Sequence, residues 1–240
     1  MTRFAAVAVA LLLASGCAPL PKPRDVPTGT TWRFDNLQRI GGIPVRVEGR
    51  PLLISTAAGT AVQFDGLDDA LFMPVHPLAG AKTFTFEAIF RPGGGPFEQR
   101  WFHLAQADPA APAGTYPPVQ ASGPRFLFEI RVVGNTWYLD AFTAGLGYSQ
   151  ALIVPEKRYP LGRWYHVAQT YDGRTYRSYV DGQLEAETPL AFVPQGSGYS
   201  SIGTRINRRN YFHGAVYAAR FTPRALAPAE FMKLPSALGR

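Results

Sequence analysis

Two stretches of the chain alternate apolar and polar positions with a period of two, the repeat of a β-strand. In Thr83 to Phe90 (TFTFEAIF), Phe84, Phe86, Ala88 and Phe90 share one face, and Thr85, Glu87 and Ile89 the other. In Arg125 to Val133 (RFLFEIRVV), Phe126, Phe128, Ile130 and Val132 oppose Leu127, Glu129, Arg131 and Val133. Each strand thus has an apolar face for a core and a mixed face where function could sit. Runs rich in aromatic and β-branched residues predict further strands at Val62 to Phe64, Leu71 to Pro74, Trp101 to Ala105, Thr136 to Phe142, Trp164 to Tyr171, Tyr176 to Val180, Ser201 to Gly203 and Ala215 to Phe221. The stretch YDGRTYRSYVDG (Tyr171 to Gly182) carries two Asp-Gly pairs, the favoured chemistry of a tight hairpin because both positions tolerate positive φ. Asp172-Gly173 and Asp181-Gly182 are therefore read as turns at opposite ends of one strand. They lie about 25–30 Å apart and cannot share an ion.

With 24 Gly and 22 Pro, long helices have little room, and 240 residues suit one domain with short appendages. Hydrophobic residues at 46% against 17% charged exclude a disordered chain. The N-terminus reads as an address: Met1-Thr2-Arg3, an apolar run from Phe4 to Leu13, then Ala14-Ser15-Gly16 before Cys17. The run is too short for a bilayer span of about 20 residues and suits a cleaved signal. LLLASGC resembles the lipobox of bacterial lipoproteins, which implies that Cys17 becomes the acylated first residue and ties the protein to a membrane. Ala18 replaces the Asp that resembles an inner-membrane retention signal, so an outer-membrane lipoprotein is expected. As the chain's one cysteine, Cys17 has no partner for an internal disulfide. The boundaries predicted are a signal over 1–16, lipidated Cys17 and a Pro-rich tether over 17–31, a domain over 32–231 and a C-terminal tail over 232–240. The net charge of +7 becomes +6 once Arg3 leaves with the signal. This biases the protein toward anionic surfaces, and no nucleic-acid-binding motif accompanies it.

Several motifs come in a fixed order: FDGLDD (Phe64 to Asp69), FTFEAIFRP (Phe84 to Pro92), WYHVAQTYDG (Trp164 to Gly173), YVDGQLEAE (Tyr179 to Glu187), SIGTR (Ser201 to Arg205), FHGAVYAARF (Phe212 to Phe221) and RALAPAEF (Arg224 to Phe231). The set resembles a laminin-G-like jelly roll of the concanavalin A-like lectin/glucanase superfamily over roughly Trp32 to Phe231. The resemblance implies an all-β fold of two antiparallel sheets, with glycan held on a concave face and its rim loops in the relatives that bind or cleave sugars. Where many such domains carry an Asp-Glu pair in the last strand, Tyr217 and Ala218 stand here; if that pair helps hold a structural cation in those relatives, part of the site is missing.

Candidate chemistry is sparse. Glu87 and Glu129 are the catalytic candidates if they form a cross-strand pair, since glycosidases need carboxyls about 5–5.5 Å apart for retention or about 6.5–9.5 Å for inversion. The alternative, which we favour, is that each is a solvent-facing strand carboxylate paired with Arg91, Arg131 or water. Tyr148, Gln150 and Arg125 loosely match the acid/base and uronate-neutralising roles of alginate lyases, but Thr143 stands where Lys is expected and the match is taken as chance. His76, His103, His166 and His213 show no metal-ligand spacing. Asp65, Asp68 and Asp69 are candidate calcium ligands, weighed against an Asp-Gly turn into the Leu71 strand. For a sugar, Trp137, Tyr138, Tyr148 and Tyr211 offer aromatic faces, and Arg205, Asn207, Arg208 and Asn210 offer hydrogen bonds. Each is weighed against core packing or a solvated loop. Gln106 to Pro124, longer than most ordered connections, is read as a mobile loop at the rim of a binding face. The expectation is a lipid-anchored envelope module that binds a glycan or polysaccharide, including anionic ones, without catalysis. The alternatives are a polysaccharide hydrolase or lyase on the same fold, and a structural envelope protein with a protein partner.

Overall fold

The computed structural model describes residues 29–239; the signal segment, Cys17 and the tether through residue 28 lie outside the described residues. The strands are β1 (Thr30–Arg33), β2 (Arg39–Ile40), β3 (Ile43–Pro44), β4 (Arg46–Glu48), β5 (Leu52–Thr56), β6 (Gly59–Asp65), β7 (Ala70–Met73), β8 (Phe84–Pro92), β9 (Glu98–Gln106), β10 (Arg125–Val133), β11 (Thr136–Gly145), β12 (Tyr148–Ile153), β13 (Tyr159–Pro160), β14 (Tyr165–Tyr171), β15 (Thr175–Val180), β16 (Gln183–Pro189), β17 (Gly198–Ile202) and β18 (His213–Thr222). Helix among the described residues is confined to two 3-10 turns, Pro228–Glu230 and Ser236–Leu238. None of it is long and apolar enough to cross a membrane.

Two antiparallel sheets form a sandwich of jelly-roll type. The first runs β16-β15-β14-β8-β18-β6-β5, with β1 also paired to β18; the second runs β12-β11-β10-β9-β17-β7-β4, with β13 paired to β11. The predicted apolar faces meet between them: Phe84, Phe86, Ala88 and Phe90 of β8 pack with Phe126, Phe128 and Ile130 of β10 in one core. Trp101 is the central plate, stacked on Phe90 at 4.2 Å between ring centroids and on Phe128 at 5.4 Å. Each ring buried this way contributes about 1.5–3 kcal/mol by leaving water.

The Asp-Gly pairs turn the chain as expected. Asp172 Oδ1 accepts the N–H groups of Arg174 and Thr175 at 2.9 and 2.7 Å, ending β14. Asp181 and Gly182 both take positive φ, 49° and 77°, between β15 and β16, the type I′ geometry that matches strand twist.

Three segments depart from the sequence reading. Strand β1 begins at Thr30, inside the span assigned to the tether. The last residues are no loose tail: Met232, Leu234 and Leu238 pack over Ile89, Trp164 and Tyr217 on the outer face of the first sheet. The long loop before β10 is held by Tyr116, which is buried against Phe72 and Tyr199 on the outer face of the second sheet. One outer face is thus covered by the C-terminal segment. Among the described residues, the other is covered over β4, β7, β17 and the Ala105 end of β9.

Candidate functional site

The two mixed faces, alike in sequence, meet different fates. Glu87 on β8 is wholly buried under the C-terminal segment. One of its oxygens accepts His166 Nε2–H at 3.0 Å and the Met232 N–H at 2.6 Å, and the other accepts Arg220 Nε–H at 2.6 Å. Burial works to raise its pKa, but these three donors outweigh it and hold the carboxyl below its ordinary value. Glu87 and Glu129 therefore cannot be a cross-strand pair, because β8 and β10 belong to different sheets and the two carboxylates point away from the core on opposite sides. Neither carboxylate is the solvent-facing strand residue expected, since both are buried; Glu87 pairs with His166 and Arg220 rather than Arg91, and Glu129 does pair with Arg131.

Glu129 faces the open part of the second sheet, and its neighbour across the ladder is Asp140 of β11. Together with Arg100, Arg125, Leu127, Arg131, Phe142, Ala151 and Arg205 they line a groove of about 250 Å³. Alternation positions its floor: Arg125, Leu127, Glu129 and Arg131 share the outward face of β10, in register with Ala144, Phe142, Asp140 and Tyr138 of β11. Arg100 donates to Glu129 at 2.8 Å, and Arg131 Nη2 lies 3.1 Å from Glu129 and 2.6 Å from Asp140. Burial, reinforced by the Glu129 charge, pushes the Asp140 carboxyl up to about 6 against the pull of Arg131. The rim is formed by the loops at 107–124 and 204–211: Arg125 Nη1 donates to Gly123 O at 2.8 Å and Arg205 Nη2 to Ala121 O at 2.6 Å.

Of the eight residues expected to contact a sugar, Arg205 alone lines this groove. Trp137 is fully buried, against Phe90 and Tyr165, and has no face to offer. Tyr138 sits on the outward face beside Arg131 but is nearly buried. Tyr148 packs on Phe192, its hydroxyl donating to Val193 O at 3.3 Å. Arg208 is committed to Glu48 through two bonds of 2.7 Å. Asn210 Oδ1 accepts from Arg100, and Tyr211 packs against the Tyr116 cluster. Asn207 lies in the same loop with Oδ1 buried and unpartnered among the described residues. Arg100, Arg131, Asp140 and Phe142 were missed, although the two-residue period of Thr136 to Phe142 places Asp140 and Phe142 on one face.

Asp65, Asp68 and Asp69 bring an oxygen each within 4.8 Å of one another, so the cluster could hold a metal ion. Much of that oxygen is already used. Asp65 Oδ1 accepts the N–H groups of Leu67, Asp68 and Asp69, and Asp69 accepts those of Arg50 at 2.5 Å and Asp65 at 3.0 Å. Burial, with the charges of Asp65 and Asp68, still raises the Asp69 pKa over the effect of those donors.

A family model described as the concanavalin A-like lectin/glucanases superfamily matches residues 64–231. No curated protein matches the chain in sequence. Among solved structures, domain 4 of AbnA, a GH43 extracellular arabinanase from Geobacillus stearothermophilus in complex with arabinotriose, is similar at TM-score 0.61 and 15% identity, covering 85% of this chain and 97% of that one. The receptor binding domain of botulinum neurotoxin type G follows at TM-score 0.57 and 11% identity, over 85% of this chain and 50% of that one. The serotype D ligand binding domain in complex with N-acetylneuraminic acid has TM-score 0.56 and 12% identity, over 83% and 48%. The chain thus spans about half the length of the toxin domains, and at these identities the likeness concerns the fold.

Proposed function

Because the chain belongs to the concanavalin A-like lectin/glucanases superfamily, we propose that the open groove on its second sheet binds a carbohydrate chain without cleaving it. The observation that carries this reading is the groove itself: an apolar floor of Leu127 and Phe142 ringed by arginines and carboxylates. Sugars offer C–H faces to such a floor and hydroxyls to such a rim. Fold-mates in complex with arabinotriose and N-acetylneuraminic acid support it. Cys17 would carry a lipid that holds the module in the cell envelope, at the outer membrane by the residue that follows it. The segment from Cys17 to Thr30 would then reach about 40 Å if extended.

The full chain in neutral detergent, screened on a glycan array, is expected to retain oligosaccharides and return them intact. Phe142→Ala should weaken retention about tenfold by removing the floor, read at a temperature well below the Tm of the variant because the ring is partly buried. Capture of an envelope protein with no glycan retained would sink the reading.

One observation favours a hydrolase as the second reading. Asp140, beside Glu129 in the groove, has its pKa raised to about 6, and a carboxyl raised in this way is what general acid catalysis uses. New reducing ends from a bound polysaccharide, lost in Asp140→Asn, would decide for it.

Calcium is the cation suited to Asp65, Asp68 and Asp69, and the test is thermal. A site filled to five times its Kd adds about 1 kcal/mol of stability, so calcium should raise the Tm and Asp68→Asn should abolish the rise. A Tm indifferent to calcium and chelator removes the ion.

A further inference from the structure

The groove's charges do not balance at one end. Arg100 and Arg131 are each tied to Glu98 and Glu129, and Arg131 also to Asp140. Among the described residues Arg125 and Arg205 make no carboxylate contact; each gives one Nη–H to a backbone carbonyl, at Gly123 and Ala121. The Nε–H of both is buried and unpartnered among the described residues. Burial followed by the Arg205 charge lowers the Arg125 pKa, and burial followed by Arg100 lowers that of Arg205; guanidinium nevertheless stays charged. The adjacent imidazole cannot serve as a counter-charge. His103, in register with Leu127, is fully buried, and its Nδ1 accepts the Ile206 N–H at 3.0 Å. Its proton is therefore on Nε2, which is itself without a partner among the described residues. Burial, then the charges of Arg205 and Arg125, keep His103 neutral.

Two half-buried cations without a carboxylate partner among the described residues thus line one end of an open groove, an arrangement costly unless an anion completes it. Arg125 is braced for the task, its guanidinium 4.8 Å above the Phe142 ring. We propose that Arg125 and Arg205 form an oxyanion subsite, and that the groove's ligand is an acidic glycan whose carboxylate or sulfate ester docks between them. The proposal rests on the carbohydrate reading of the groove and names the substrate class.

The test titrates the full chain in neutral detergent with oligogalacturonate, its methyl-esterified form, a sulfated galactan oligosaccharide and inorganic sulfate. Affinity and Tm are both read. An acidic oligosaccharide should bind at least tenfold more tightly than the neutral ester, and Arg125→Gln and Arg205→Gln should each weaken that binding about 10- to 100-fold, the range of a charged hydrogen bond. Arg205→Lys should recover part of the loss. Arg205→Gln should melt no lower than the parent, because it removes like-charge repulsion, which guards against loss of fold as the cause. Equal binding of acid and ester, with sulfate leaving the Tm unmoved, would overturn the anion subsite and leave the glycan groove standing. A Tm raised by sulfate in the parent but not in the double arginine variant, with no oligosaccharide bound, would keep the anion site and remove the glycan reading. Silence in every arm would remove both.

Discussion

Replacing Glu87 with glutamine is expected to lower the Tm by about 10 °C and to expose residues 225–239 to proteolysis. The carboxylate is fully buried and takes one donor each from β14 and β18 and one from the C-terminal segment. Removing one partner of a buried, hydrogen-bonded charge costs about 3–5 kcal/mol, and in a chain of this size 1 kcal/mol corresponds to about 2–4 °C. An amide keeps the shape, but it cannot accept from Arg220 and His166 as an anion does, and Arg220 loses its one carboxylate. Phe231, which packs on His166 and Tyr179, should loosen with it. Calorimetry and limited proteolysis read the two effects; a Tm within about 2 °C of the parent would falsify the pinning role.

The second large effect is a stability that depends on pH through Asp140. Its pKa rises from 3.8 to about 6 on folding, so the folded chain holds a proton that the unfolded chain has released. The stabilisation is full below about pH 4 and is lost as pH climbs through 6. A shift of about two units is worth up to about 3 kcal/mol, and Asp140→Asn should return that amount at pH 8 while changing nothing at pH 3.5. Buried His76 runs the other way: burial lowers it to about 4, so its contribution is present above 6.5 and lost as pH falls through 4. The parent curve mixes the two, and the difference between parent and Asp140→Asn isolates the carboxyl. An asparagine variant that melts lower than the parent at pH 8 would mean that the bond from Arg131 outweighs burial.

Alternation was legible in the sequence because a strand buried on one side writes its period directly, and β8 and β10 showed it. The order of strands across the sheets was not, since nothing in TFTFEAIF says that β8 lies between β14 and β18. For the same reason Glu87 and Glu129 looked interchangeable. Their difference comes from residues 226–238, which fold back over one of them from far along the chain. Edge strands such as β5, whose Leu52 and Leu53 are both exposed, write no period and were missed. In the groove, the alternation that put Leu127 and Glu129 on one face also held Arg125 and Arg131, but their pairing with Asp140 required the register of β10 on β11. The aromatic residues picked for stacking were chosen by type, and a sandwich buries most of its large rings: Trp137 went to the core, and partly buried Phe142 remained in the groove.

The first strand and the last residues of the fold meet on the same layer. Thr31 and Arg33 of β1 share a recess with Met232, Lys233 and Pro235, on the sheet opposite the groove. A short linker from residue 238 to residue 30 across that recess should therefore close the domain over residues 30–238 into a circle, and new termini could be opened in the β14–β15 hairpin at Gly173. A surface attachment placed just before β1 or just after residue 238 would hold the domain by its closed side and leave the arginine-lined face toward solution.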